Sequence, residues 1–75
     1  MNPEKFRKFY ETHFNKIYRF VLFRVGNREL AEDLVSEIFV KALKAFPSYD
    51  ESRSRSSWIF TIARNHLINH YRSSG

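Results

Sequence analysis

The sequence has no cysteine, which excludes a disulfide framework and any thiolate metal site. Its longest purely apolar run, Phe20 to Phe23, is far too short for a membrane span, and the charged N-terminus excludes a signal peptide. The chain has 75 residues, of which 43% are apolar and eight are phenylalanine, enough to fill one core. We therefore expect one small folded domain in a reducing cytoplasm, with no membrane partner.

Glycine and proline are also scarce, with two of each, and they divide the chain into helical stretches without strand alternation. Asn2 and Asn27 are typical helix N-caps, and Gly26 is suited to a left-handed helix stop. This pattern predicts an all-α fold, a compact three-helix bundle. The predicted helices span about residues 3–25, 28–46 and 57–72, with a long polar loop at 47–56.

Acidic residues are absent after residue 51, and the net charge of +5 is unevenly distributed. Residues 1–28 carry +5, residues 29–51 carry −4 and residues 53–75 carry +4. A basic total indicates a polyanionic partner, and the segregation indicates two partners of opposite character.

Catalytic motifs are missing: the chain has no glycine-rich phosphate loop, no cysteine nucleophile and no nucleophile elbow. The one metal-like spacing is His66 and His70, four residues apart on a helix. A zinc site needs a third ligand, so packed histidines are favoured over a metal site. We predict a protein that is not an enzyme and has no cofactor and no metal.

The acidic middle of the chain forms a stripe on helix two. Solvated carboxylates near a positive helix end, with an ordinary Glu37 to Lys41 ion pair, would explain it. However, Val40 falls in the middle of this polar face, which is typical of an anchor for a basic partner helix.

The last third of the chain is basic, rich in amides and interleaved with aromatic residues. Asparagine and arginine side chains can read base edges, and aromatic rings next to cations suit single-stranded nucleic acid. For Trp58, packing into the core is favoured over stacking on a base. The candidate DNA-binding residues are Tyr49, Asp50, Arg53, Arg55, Trp58, Thr61, Arg64, Asn65, Asn69 and Arg72.

The segments AEDLVSEIFVKALKAFPSYD and SSWIFTIARNHLINHYR resemble region 2 of bacterial sigma-70 family sigma factors, and the extracytoplasmic-function (ECF) group in particular. The resemblance runs from about Phe6 to Arg72. It implies a specificity subunit in which helix two docks on the clamp helices of the largest catalytic subunit of core RNA polymerase. Together with the stripe around Val40, it predicts that the polymerase-binding residues are Glu29, Glu32, Asp33, Ser36, Glu37, Val40 and Lys41. Ser36 stands where the family commonly has glutamine.

The resemblance also implies that helix three and the preceding loop engage the minus-ten promoter element. The loop would hold a base flipped from the single-stranded non-template strand during DNA melting. We expect residues 1–75 to form a single region 2 domain without the region 4 DNA-binding domain, and an anti-sigma factor as a further partner. The alternative is a helical interaction module, an anti-sigma target or scaffold that reads no DNA sequence of its own.

Overall fold

In a computed structural model that describes residues 3–50 and 52–74, three α-helices pack around one core. Helix α1 spans Pro3–Val25, α2 spans Arg28–Ala45 and α3 spans Arg55–Ser74, and a short 3-10 turn, Phe46–Ser48, follows α2. Each helix contacts the other two, and the described residues form no strand. The predicted all-α three-helix bundle is confirmed.

The turn between α1 and α2 is built by two local signals. Gly26 adopts φ +66°, a left-handed conformation that favours glycine, and its amide donates to the Leu22 carbonyl at 2.8 Å. The Asn27 side chain accepts a hydrogen bond from the Leu30 amide at 2.9 Å, which caps α2. Both predictions are confirmed, whereas the predicted cap at Asn2 lies outside the described residues.

Helix α3 begins at Arg55, two residues before the predicted start. The Ser57 amide donates to the Ser54 hydroxyl oxygen at 3.3 Å, so Ser54 is the cap. The prediction was wrong because several serines in this segment are equally good caps, and the pattern alone does not choose among them. Helix α2 also ends one residue early, at Ala45, where the chain tightens into the 3-10 turn.

Five aromatic side chains, here called the aromatic cluster, pack together where α2 ends and α3 begins. The buried ring of Phe9 lies at their centre, with its centroid 5.4 Å from Phe46 and 5.7 Å from both Phe6 and Trp58. Tyr49, the fifth member, is the first residue after the 3-10 turn, so the polar loop rests directly on this part of the core.

Candidate functional site

The candidate functional residues lie on surfaces rather than in a cavity. Residues 3–50 and 52–74 enclose no pocket, and they bring together no group of three possible metal ligands. None of the helices in these ranges is long and apolar enough to cross a membrane.

The first surface, here called the α2 face, is the side of α2 turned away from the core. All seven residues predicted to bind polymerase are exposed on this helix. Val40 is 50% exposed, because the 100° step of the helix places it opposite the buried stripe. Leu43, 38% exposed, adds apolar area nearby. Apolar side chains bordered by carboxylates match the arrangement of an interface, an apolar centre with a polar rim.

Glu37 is the member of this face that bonds to another helix. Its Oε1 lies 2.7 Å from Nε2 of His66 in α3, and the His66 side chain is only 12% exposed. The Glu37 to Lys41 ion pair that would explain the stripe as a solvated face does not form, and Glu37 bonds to the imidazole of the neighbouring helix instead. Because a carboxylate only accepts hydrogen bonds, Nε2 of His66 is the donor in this contact, and Nδ1 of the same ring is buried without a partner.

Glu37→Ala should lower the free energy of unfolding by about 1 kcal/mol, because the half-buried His66 loses its hydrogen-bond acceptor. Glu37→Gln should have a smaller effect, since the amide oxygen can still accept from Nε2. Chemical denaturation measures both variants, with Glu32→Ala on the exposed part of α2 as the control, expected to change stability by less than about 0.5 kcal/mol. Equal stability of the Glu37→Ala and Glu32→Ala proteins would show that the contact with His66 contributes nothing.

The second surface begins with the polar loop, which is folded into a turn. Oδ1 of Asp50 accepts hydrogen bonds from the Ser52 amide at 2.9 Å and the Ser52 hydroxyl at 2.8 Å. These two bonds hold the pKa of the Asp50 carboxyl below its usual value, because they stabilise the charged form. The Arg53 amide donates to the Asp50 carbonyl at 3.0 Å. Asp50 thus shapes the loop backbone as well as adding a charge to it.

Arg55 and Trp58 lie in the first turn of α3 and contact the aromatic cluster. The Arg55 guanidinium carbon is 5.8 Å from the Tyr49 ring centroid and 5.9 Å from that of Phe46, which is within cation–π range. The Trp58 ring is half-buried, 5.0 Å from Tyr49. The packing of Trp58 agrees with the interpretation that this residue is primarily part of the core.

The outer side of α3, here called the α3 face, carries four exposed side chains able to contact nucleic acid: Arg64, Asn65, Asn69 and Arg72. Thr61 is half-buried, and its hydroxyl donates to the Ser57 carbonyl at 2.9 Å, so this group is already bonded within the helix. Ile68 is 48% exposed and was not among the predicted site residues. Its spacing, four residues from both Arg64 and Arg72, was the signal that could have identified it.

Beneath these surfaces His13 of α1 is 9% exposed. Burial lowers the pKa of its imidazole, and the positive charges of Lys16 and Arg55 lower the pKa further. Its ring packs against Phe9 at a centroid distance of 4.8 Å. His13 therefore behaves as a neutral core residue rather than as part of the basic surface.

Comparison with known proteins agrees with the resemblance noted in the sequence. The chain matches the family described as Sigma-70 region 2 over residues 9–75. It is 36% identical over 72 residues to the ECF RNA polymerase sigma factor BldN of Streptomyces coelicolor, a match that covers 95% of this chain and 27% of that protein. It is 40% identical over 63 residues to the ECF RNA polymerase sigma factor SigM of Bacillus subtilis, with 84% and 38% covered.

The chain therefore spans between about a quarter and two-fifths of the length of these two relatives. No solved structure matches it significantly. The family match extends over all of α2, the loop and α3, the three segments that carry both candidate surfaces. This 75-residue chain belongs to the sigma-70 region 2 family.

Proposed function

We propose that this domain is the promoter-recognition domain of an alternative sigma factor of the ECF group. It binds core RNA polymerase through the α2 face, and it binds the minus-ten promoter element through the loop and the α3 face. One observation carries the proposal: a small domain exposes an acidic helix side around Val40 and, on another helix, an outer side with arginines, asparagines and no acid. The two surfaces have the charges that two different partners require.

For DNA, the proposed role is capture of a non-template base without catalysis. Extruding a base costs a few kcal/mol of stacking and pairing, which hydrogen bonds and phosphate contacts on the single strand must offset. Arg64 and Arg72 are exposed and suited to the strand backbone, while Asn65 and Asn69 offer amides to base edges. The loop beside Trp58 would receive the flipped base.

For polymerase, the proposed contact is helix on helix. The exposed carboxylates Glu29, Glu32 and Asp33 would face basic groups of the clamp helices, with Val40 as the apolar centre. Glu37 has an additional role, since its carboxylate also bonds to His66. The α2 face therefore has two roles: it binds the partner, and through Glu37 it holds α3, the helix that carries the proposed DNA-binding residues.

Fluorescence anisotropy with labelled single-stranded oligonucleotides tests the DNA part of the proposal. We expect the wild type to prefer a minus-ten non-template strand over a scrambled strand and over the matched duplex, with affinity falling steeply as salt rises. Asn65→Ala should weaken binding to the preferred strand by about 5- to 100-fold if its amide reads a base edge.

Asn15→Ala is the matched control, because Asn15 is exposed on the side of α1 opposite its buried residues. It should bind as the wild type does. Binding that depends on salt but shows no preference among strands would contradict promoter reading, and so would equal losses in the two variants.

One observation favours a second function, the helical interaction module. Phe23 near the end of α1 is 88% exposed, the highest value among the large apolar side chains that the structure describes, and it lies outside both candidate surfaces. Two results together would replace the sigma factor role with the interaction module. The domain would show no preference among the oligonucleotides, and a purified anti-sigma domain would bind it and shield the Phe23 side chain from solvent.

A further inference from the structure

We infer that Tyr49 is a positioning residue: it fixes the loop through contacts with Phe46 and Arg53, and it leaves Arg53 as the loop residue that contacts the captured strand. The inference rests on the proposed function for its DNA part. It differs from direct stacking of Tyr49 on a base, the role that an aromatic ring next to cations suggests. It also makes Arg53, rather than Tyr49, the loop residue that determines specificity.

The ring of Tyr49 is already in contact with three side chains. It lies nearly parallel to Phe46, with 10° between the planes and 6.4 Å between the centroids, and its centroid is 5.0 Å from that of Trp58. The Arg55 guanidinium lies over the ring at 5.8 Å. A base that stacked on Tyr49 would compete with these neighbours, which tie the loop to the core.

The hydroxyl of Tyr49 is also engaged, because it donates to the backbone carbonyl of Arg53. This bond closes the loop across four residues, and the Arg53 amide is bonded in turn to the Asp50 carbonyl at 3.0 Å. Both backbone groups of Arg53 are therefore paired within the loop. A loop fixed before binding avoids the conformational entropy that a mobile loop would lose on the DNA.

The Arg53 side chain itself remains exposed, while the Arg55 guanidinium lies over aromatic rings. Of the two loop-proximal arginines, Arg53 is therefore the one directed to a partner. Its planar guanidinium can donate two hydrogen bonds to one base edge or phosphate, and a fixed backbone limits which of these it reaches.

Two substitutions separate positioning from stacking. Tyr49→Phe keeps the ring and removes only the hydroxyl, and it should weaken binding to the preferred strand by about threefold to tenfold, the value of one hydrogen bond. In an Arg53→Ala background Tyr49→Phe should cause no further loss, since it acts through Arg53. Tyr18→Phe is the matched control, a half-buried tyrosine on α1, and it should bind as the wild type does.

If the tyrosine stacks on a base, Tyr49→Phe binds as the wild type does and only Tyr49→Leu loses affinity. That result, or additive losses with Arg53→Ala, overturns the inference. Amide hydrogen exchange on the free protein gives an independent test: Tyr49→Phe should raise exchange in residues 50–54 and Tyr18→Phe should not. Unchanged exchange would also overturn the positioning role, whereas a wild type without strand preference contradicts the proposed function alone.

Discussion

Asp33→Arg should weaken binding to core RNA polymerase by about 10- to 100-fold, a loss of about 1.4 to 2.7 kcal/mol. Asp33 is exposed on the α2 face, on the same outer side as Val40. The substitution removes a carboxylate and places a positive charge where the proposed polymerase contact needs a negative one, and like-charge contacts across an interface strongly disfavour docking. Titration of the labelled domain with purified core polymerase measures the loss.

Glu11→Arg is the control for this prediction, because it changes the net charge by the same amount from an exposed position on α1. Glu11 forms an exposed ion pair with Arg7, and the loss of such a pair costs little stability. Polymerase binding should survive in this control, and both variants should show the same small change in DNA affinity. Equal losses of polymerase binding would mean that total charge, and not the α2 face, governs the interaction.

Local signals made the helical framework predictable from the sequence. Gly26 and Asn27 act through bonds to residues three or four positions away, so their roles can be read from spacing. The exposure of Val40 followed from the helical period in the same way. Periodicity and capping thus indicated which side of α2 is available to a partner.

Contacts between helices were not predictable in this way. The partner of Glu37 is 29 residues distant, and it depends on how α3 packs against α2 rather than on spacing within α2. The bond from Tyr49 to Arg53 depends likewise on the loop resting on the aromatic cluster. The sequence therefore indicated which residues are exposed on the α2 face, but not which residues of either surface are already bonded within the protein.

The aromatic cluster links the stability of the core to the candidate DNA surface. Its rings include Trp58, in the first turn of α3, and Tyr49, which holds the loop. The central ring, Phe9, is 2% exposed. A defect at Phe9 should therefore disturb the loop as well as the fold.

Phe9→Ala should destabilise the domain by about 3 to 5 kcal/mol, the usual cost of removing a buried phenyl ring. A domain of this size has a total stability of only about 4 to 11 kcal/mol, so the variant should lie close to unfolding. The melting temperature should fall by about 12 °C or more, measured by circular dichroism.

Phe23→Ala is the matched control for Phe9→Ala, because it makes the same chemical change on the same helix at a side chain that is 88% exposed. Its stability should change by less than about 0.5 kcal/mol, since little apolar surface leaves the core. Phe23→Ala should also keep the affinity for single-stranded DNA. Phe9→Ala should lose affinity even at a temperature where most of it is folded, because Phe46 and Trp58, which hold Tyr49 and the loop, pack against the missing ring. Similar melting temperatures for the two variants would show that the aromatic cluster does not support the fold. Full DNA affinity in folded Phe9→Ala would show that the loop does not depend on the aromatic cluster.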